Sequence, residues 1–450
     1  MKRSVKRGIG LAALAVVVIV LAGVGWIVFG PGPLDFAGGK TVPLAEYKDG
    51  NPTGVPASLA SADPIVRGEY LAQAADCAAC HTVKGGKPFA GGLAFKLPFG
   101  TLYSSNITPD KETGIGAWSD ADFLRAVHQG IAADGTRLYP AFPYAAYTMM
   151  TDEDALAIKA YLFSLPAVNA KTPPNTLSFP FNQRWLMAFW TAFFNPDERY
   201  RPNTGQSPEW NRGAYLAEAM GHCGDCHTPR NPMMALDNRS KFMGAVAAGW
   251  KAYNLTPDKE TGVGAWSDET LTQFISTGHV DGYGTASGPM GEAIDNSLSH
   301  LVPEDVKALV AYIRTVPPIS DPALPAPRTA PASAAPKEGV TEADAHGAVL
   351  FAGACASCHG WTGKSPVLAI ATFTGARAVN DPTARNVAQA IVWGVTRETP
   401  TGPAVMPAFG RAYSNVEIAA IANFVTKRFG AAPSAITAEQ VAAIRGQASQ

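Results

Sequence analysis

Charge is scarce in this sequence, and cysteine is scarcer. Only 16% of the 450 residues are Asp, Glu, Lys or Arg, against roughly a quarter in ordinary soluble domains. With 44 glycines and 36 prolines as well, a coiled coil and a charge-rich disordered chain are both excluded. The formal net charge of −1 leaves no basic footprint, so nucleic acid is excluded as a partner. Six cysteines are too few for a disulfide scaffold in a chain of this length. After the first thirty or so residues no stretch is apolar enough to span a bilayer, and no alternating runs mark strands. What remains is room for two to four domains at roughly 100 to 200 residues each.

The N-terminus starts Met1-Lys2-Arg3-Ser4-Val5-Lys6-Arg7 and then runs uncharged from Gly8 to Gly30. At 1.5 Å per residue, residues 9 to 29 are long enough to cross a hydrocarbon core of about 30 Å. The run exceeds a signal-peptide core and ends in Phe29-Gly30-Pro31-Gly32-Pro33 without a small-residue cleavage site. The expectation is an uncleaved single-pass anchor over residues 1–32 in a bacterial inner membrane. Lys2, Arg3, Lys6 and Arg7 stay in the cytoplasm, and the rest of the chain lies on the periplasmic side.

The exported part repeats itself. Asn106-Ile107-Thr108-Pro109-Asp110-Lys111-Glu112-Thr113-Gly114 returns 148 residues later as Asn254-Leu255-Thr256-Pro257-Asp258-Lys259-Glu260-Thr261-Gly262. Arg67-Gly68-Glu69-Tyr70-Leu71-Ala72 returns as Arg212-Gly213-Ala214-Tyr215-Leu216-Ala217, and a more divergent copy begins near Gly347. A proline-rich stretch from Val316 to Pro336 reads as a semi-rigid linker. Inside each copy the signals are helical: Asp63 before Pro64, and Ser119/Asp122, Thr151/Asp154 and Ser414/Glu417 at capping-box spacing. Apolar residues at helical spacing follow the caps.

All six cysteines fall in one pattern: Cys77-Ala-Ala-Cys80-His81, Cys223-Gly-Asp-Cys226-His227 and Cys355-Ala-Ser-Cys358-His359. Two thiols at i and i+3 can each add to one vinyl group of a haem while the next residue, histidine, faces the iron. A zinc site needs four ligands and no cysteine is spare; a redox dithiol has no use for the histidine. The pattern points to three covalent c-type haems on Cys77, Cys80, Cys223, Cys226, Cys355 and Cys358, with His81, His227 and His359 as proximal iron ligands. For the opposite face, Met406 is the single methionine after His359, and Met290 precedes the last helix of the second copy. Met233, Met234 and Met243 lie too close to their motif and are expected to pack in a core. In the first copy the 148-residue offset sets Phe142 against Met290, and phenyl cannot ligate iron. Met150 is preferred there, with Met149 and His128 as alternatives and an open sixth position as a further one.

Leu177 to Phe194 is dense in aromatics, and reads as interdomain core or, failing that, as a docking surface for a partner or membrane. No dinucleotide loop or Ser/His/Asp ordering stands out, so no catalytic residue is assigned.

Taken together, Gly68-Glu69-Tyr70-Leu71, Asn106-Ile107-Thr108-Pro109-Asp110, Tyr139-Pro140-Ala141-Phe142-Pro143-Tyr144 and Gly221-His222-Cys223-Gly224-Asp225-Cys226-His227-Thr228-Pro229-Arg230 resemble the three-haem cytochrome c subunit of bacterial membrane-bound aldehyde and alcohol dehydrogenases. The likeness covers nearly everything after residue 60. It implies an all-α chain of three tandem cytochrome c domains behind a transmembrane helix: 60–170, an aromatic-rich connector at 171–204, 205–316, a proline-rich linker at 317–340, and 341–432. It implies an electron-transfer subunit of the respiratory chain, not an enzyme by itself, passing electrons from a periplasmic dehydrogenase to ubiquinone. Ser178-Phe179-Pro180-Phe181-Asn182-Gln183-Arg184-Trp185 resembles the branch whose partners are a molybdenum-containing aldehyde dehydrogenase and a small iron–sulfur subunit. The alternatives are the cytochrome subunit of a quinoprotein alcohol dehydrogenase or other sugar or alcohol dehydrogenase, and a haem enzyme with an open iron in domain 1.

Overall fold

A computed structural model describes residues 16, 18–19, 22–23, 25–333, 342–399 and 402–446. Helix formation follows the capping signals. Asp63 accepts from the Ile65 amide at the head of α1 (Pro64–Ala74), and Ser119 and Asp122 close a reciprocal capping box on the helix Asp120–Gln129. Ser414 and Glu417 do the same for the helix Asn415–Phe429. Thr151 accepts from the Asp154 amide to start α2 (Asp152–Ser164).

The chain is mainly but not purely helical. Four antiparallel hairpins occur among the described residues, at 94–103, 245–252, 279–285 and 395–406. Their strands are two to four residues long, too short for alternation to register in the sequence.

One packing motif is built three times. In the first, Gly68 of α1 meets α2 so closely that an added Cβ would lie 2.1 Å from the Ala157 carbonyl oxygen and 2.9 Å from the Tyr161 Cβ. The second crosses α3 (Pro208–Ala214) over α4 (Pro303–Ile313), where a Cβ added to Gly213 would lie 1.9 Å from the Ala308 carbonyl oxygen and 2.9 Å from the Tyr312 Cβ. In the third, α5 (Glu342–Ala354) crosses α6 (Asn415–Phe429), with Gly347 against Ala420 at 2.5 Å and Phe424 at 2.8 Å. Each time a glycine receives an alanine carbonyl and an aromatic four residues further on, so the two backbones approach without a side chain between them.

The first two units are locked by a swapped pair of bonds. Tyr70 of α1 donates to Asp305 of α4 at 2.5 Å, and Tyr215, which matches Tyr70, donates to Asp154 of α2 at 2.5 Å. The exchange is the signature of a two-fold, self-complementary interface inside a single chain. Arg212 strengthens one side by pairing with Asp305 at 2.7 Å. The third unit docks on the second through Asn386, which exchanges two bonds with the Lys251 backbone. Arg397 assists: its fully buried guanidinium reaches Ala286 O and Asp295.

The expected anchor is not found. No helix among the described residues is long and apolar enough to cross a membrane, and this overturns the single-pass inner-membrane placement read from residues 1–32. That reading counted the uncharged run as one unbroken helix. The described helical residues reach Val28, and their end is pinned to the folded body: the Arg239 guanidinium lies 4.0 Å from the Trp26 ring and Asn238 donates to Pro31 O. Residues 1–15, 17, 20, 21 and 24 of the proposed span lie outside the described residues.

Candidate cofactor sites

Each motif sits on a single helical turn: Cys77–His81, Gly224–His227 and Ala356–His359. In all three the histidine Nδ1 faces a backbone carbonyl. His81 donates to Ser105 O at 2.7 Å, His227 to Tyr253 O at 2.6 Å and His359 to Ala371 O at 2.7 Å. That bond fixes the tautomer and leaves the Nε2 lone pair free for a metal. Burial holds the three imidazoles below the ordinary histidine range, His227 down to about 4, while the carbonyl bond pulls the other way. The rings are therefore neutral, as a ligand must be.

The repeated Asn-x-Thr-Pro-Asp loop places two of those carbonyls. Ser105 and Tyr253 immediately precede Asn106 and Asn254. Asn106 Nδ2 donates to Thr113 and Val168 O, and its Oδ1 accepts from the Thr108 amide. Asn254 repeats this set with Thr261, Ile319 O and Thr256. At Gly262 an added Cβ would lie 2.1 Å from Thr256 O, so the loop closes only with glycine there. The sequence showed the repeat but not its purpose.

Burial pushes the Cys77, Cys80 and Cys223 thiols up to about 12, and Cys226 and Cys355 up to about 11. A redox dithiol needs the opposite shift. Among the described residues no three His, Cys, Asp or Glu gather to hold a bare ion, so the motifs do not combine into zinc sites.

Beside the first motif lies a cavity of about 380 Å³, walled by Cys77, Cys80, His81, Phe142, Tyr147 and Met150 among others. That is a mostly apolar pocket of cofactor size. Met150 is 1% exposed and lines it; Met149 and His128 do not. His128 is turned toward Asp152, 3.6 Å away. Phe142, in the slot where a ligand was sought, forms wall and packs edge-on against Tyr147. The first and second sites share a boundary: His222, next to Cys223, lines the first cavity and packs edge-on against Tyr147, which donates to Ala75 O at 2.6 Å.

Met290 occupies the first turn of the helix Pro289–Asn296, entered through Gly288 at φ +55°, where an added Cβ would strike the Trp250 ring at 2.4 Å. Met406 ends a short strand opposite Val395, and both methionines are half-buried. In the third unit the His359 ring stacks on Phe373 at 4.1 Å. Met233 and Met234, expected in a core, are about half exposed.

The aromatic run divides by face instead of forming a core. Trp190 is buried and donates to Met233 O; Phe179, Phe181, Trp185, Phe189 and Phe193 are exposed.

The cytochrome c family model matches residues 65–166 and 345–428. The expectation of three tandem cytochrome c domains is thereby corrected to two matching segments. The unmatched second unit departs from the first by one extra residue between its crossing glycine and its first cysteine. Among curated proteins, the chain is 39% identical to one of the subunits of the nicotinate dehydrogenase of Pseudomonas putida over 82% of its own length, but spans only 31% of that protein. It is 38% identical to the fructose dehydrogenase cytochrome subunit of Gluconobacter japonicus, over 86% of this chain and 83% of that one. To the cytochrome c subunit of alcohol dehydrogenase (quinone) of Gluconacetobacter polyoxogenes it is 34% identical, over 85% and 84%.

Proposed function

The chain belongs to the family of cytochrome c subunits of dehydrogenases, and from that premise we propose that it carries three covalent haems and passes electrons from a dehydrogenase catalytic subunit to ubiquinone. It is an electron-transfer subunit and not a catalytic enzyme. The observation that carries the count of three is the histidine clamp, built at all three motifs with the same atom and nearly the same bond length.

When bound, each haem supplies a one-electron couple at its iron. The chain's own residues do the rest. Cys77 and Cys80, Cys223 and Cys226, and Cys355 and Cys358 would tether it; the carbonyls of Ser105, Tyr253 and Ala371 aim the histidines that would hold its iron. Met150, Met290 and Met406 would supply the thioether ligands. Apolar walls such as Phe142 and Tyr147 exclude water, which spares reorganisation when charge moves. The shared boundary at His222 brings the first two sites together.

For the donor we favour a molybdenum-containing aldehyde dehydrogenase with a small iron–sulfur subunit, on the wording of Ser178 to Trp185, whose side chains Phe179, Phe181 and Trp185 stand exposed for a partner. The quinone acceptor is supported by the relative named alcohol dehydrogenase (quinone).

Denaturing mass spectrometry of the purified chain is expected to show the polypeptide plus three haem masses. A smaller number, with free thiols at one motif, contradicts the count. Identification of the co-purifying subunits tests the donor: a quinoprotein partner replaces the aldehyde reading.

A further inference from the structure

The second unit contains a feature that the first lacks. Ten steps lead from Arg67 to Cys77, but eleven from Arg212 to Cys223. The extra residue is absorbed by a widened π-turn over Tyr215–Met220. There the Gly221 amide reaches back to Leu216 O at 2.7 Å and the Cys223 amide to Ala217 O at 3.0 Å. Such turns occur mostly at functional places. This one carries Glu218 into the interior. Lys241 Nζ lies 2.7 Å from Glu218 Oε1, the two side chains being 4% and 5% exposed. Tyr312 donates to the same oxygen at 2.7 Å, and the Lys241 ammonium stands 4.3 Å from the Phe242 ring centre.

The matching positions in the first unit are uncharged. Glu218 lies three residues after Tyr215, where Gln73 follows Tyr70. Lys241 precedes Phe242, whose amide donates to Thr228 as that of Phe89 donates to Thr82, so its counterpart is Pro88. A buried ion pair costs several kcal/mol of desolvation per ion before its attraction returns anything. An apolar pair would fill this space at less cost, so stability alone does not account for it. The segment that carries Glu218 adjoins the motif directly, because the Cys223 amide donates to the neighbouring Ala217 O at 3.0 Å; in keeping with that, Glu218 pushes the Cys223 thiol up and Lys241 pulls it down, the first more strongly.

We infer that Glu218, held by Lys241 and Tyr312, is a positioning residue that lowers the reduction potential of the haem carried by Cys223, Cys226 and His227, setting it apart from the haem of the first unit. This rests on the reading of that motif as a haem site. A negative charge close to the iron favours the ferric form, so charge and burial are direct levers on such a couple.

The test uses the full haem-loaded chain and optical redox titration. Glu218→Gln/Lys241→Met removes both charges at nearly constant volume, and should raise the midpoint of one haem and leave the other two in place. Tyr312→Phe removes the hydroxyl that offsets Glu218 and should lower the midpoint of that same haem. Opposite shifts in one haem uphold the inference; a merely structural pair would not produce them. No shift, shifts of one sign, or a shift shared by all haems overturns it. If the double variant does not load haem, Tyr312→Phe decides alone, and no shift there overturns the inference. The haem count of the unsubstituted chain keeps the two readings apart, since two haem masses would remove the site and not the charge effect.

Discussion

Gly213→Ala is expected to destabilise the second unit severely and to lower its haem content. The Cβ would sit 1.9 Å from the Ala308 carbonyl oxygen and 2.9 Å from the Tyr312 Cβ, and both are rigid parts of α4. The helices must separate, and in a close-packed interior that movement is not absorbed locally. Overpacking ordinarily costs about 1 to 3 kcal/mol. Here the clash is with backbone, so a loss beyond that range, on the order of 4 kcal/mol, is expected. A domain stabilised by only about 5 to 15 kcal/mol loses a large part of its margin. The swapped Tyr70–Asp305 and Tyr215–Asp154 bonds also depend on this crossing, so the first unit should loosen with the second. Gly353 supplies the control. It lies in α5 with nothing within 4 Å of its added Cβ, and Gly353→Ala should be neutral or stabilise by about 0.5 to 1 kcal/mol. Urea midpoints and haem content measure both. A Gly213→Ala chain with full haem content and an unchanged midpoint would show that the crossing tolerates separation.

That crossing shows where the sequence is readable and where it is not. The three Cys-x-x-Cys-His motifs are legible because the chemistry demands adjacent residues. The caps at Ser119 and Ser414 are legible because they act over three residues. Gly68, Gly213 and Gly347 are legible only in retrospect, since their partners Ala157, Ala308 and Ala420 lie some 70 to 95 residues away and the pairing is long-range. The carbonyls that aim the histidines are marked only indirectly: Ser105 and Tyr253 each precede a copy of the Asn-x-Thr-Pro-Asp loop, but any residue offers a carbonyl, and no such loop follows Ala371. Composition misled in two places. The uncharged N-terminal run has the length of a spanning helix, yet no helix among the described residues is long and apolar enough to cross a membrane. The aromatic run has the composition of a core, but periodicity alone does not say that Trp190 faces inward while Phe189 and Phe193 face out.

The neighbouring pair Met149 and Met150 is the sharpest case, because the two differ in sequence by one position and in the structure by which one faces the cavity. Met150→Leu is therefore expected to turn one haem of three from low spin to high spin, since leucine keeps the volume and loses the sulfur lone pair. A Leu-for-Met exchange usually costs less than about 1.5 kcal/mol, whereas Met150→Ala would add a cavity worth about 2 to 5 kcal/mol at a residue that is 1% exposed. Leucine thus separates ligation from packing. Met290→Leu and Met406→Leu should each convert one further haem, and the three changes should add, because the three methionines lie in separate units. Met149→Leu and His128→Gln are expected to leave all three haems low-spin: neither residue lines the cavity, and the His128 ring is turned toward Asp152, 3.6 Å away. Near-infrared and visible spectra of the oxidised chain read the thioether-to-iron band directly. Three such bands lost in turn confirm the ligand set. A first haem that stays low-spin in Met150→Leu but not in Met149→Leu or His128→Gln transfers the assignment to that residue, and one that is high-spin in the unsubstituted chain shows an iron open at its sixth position.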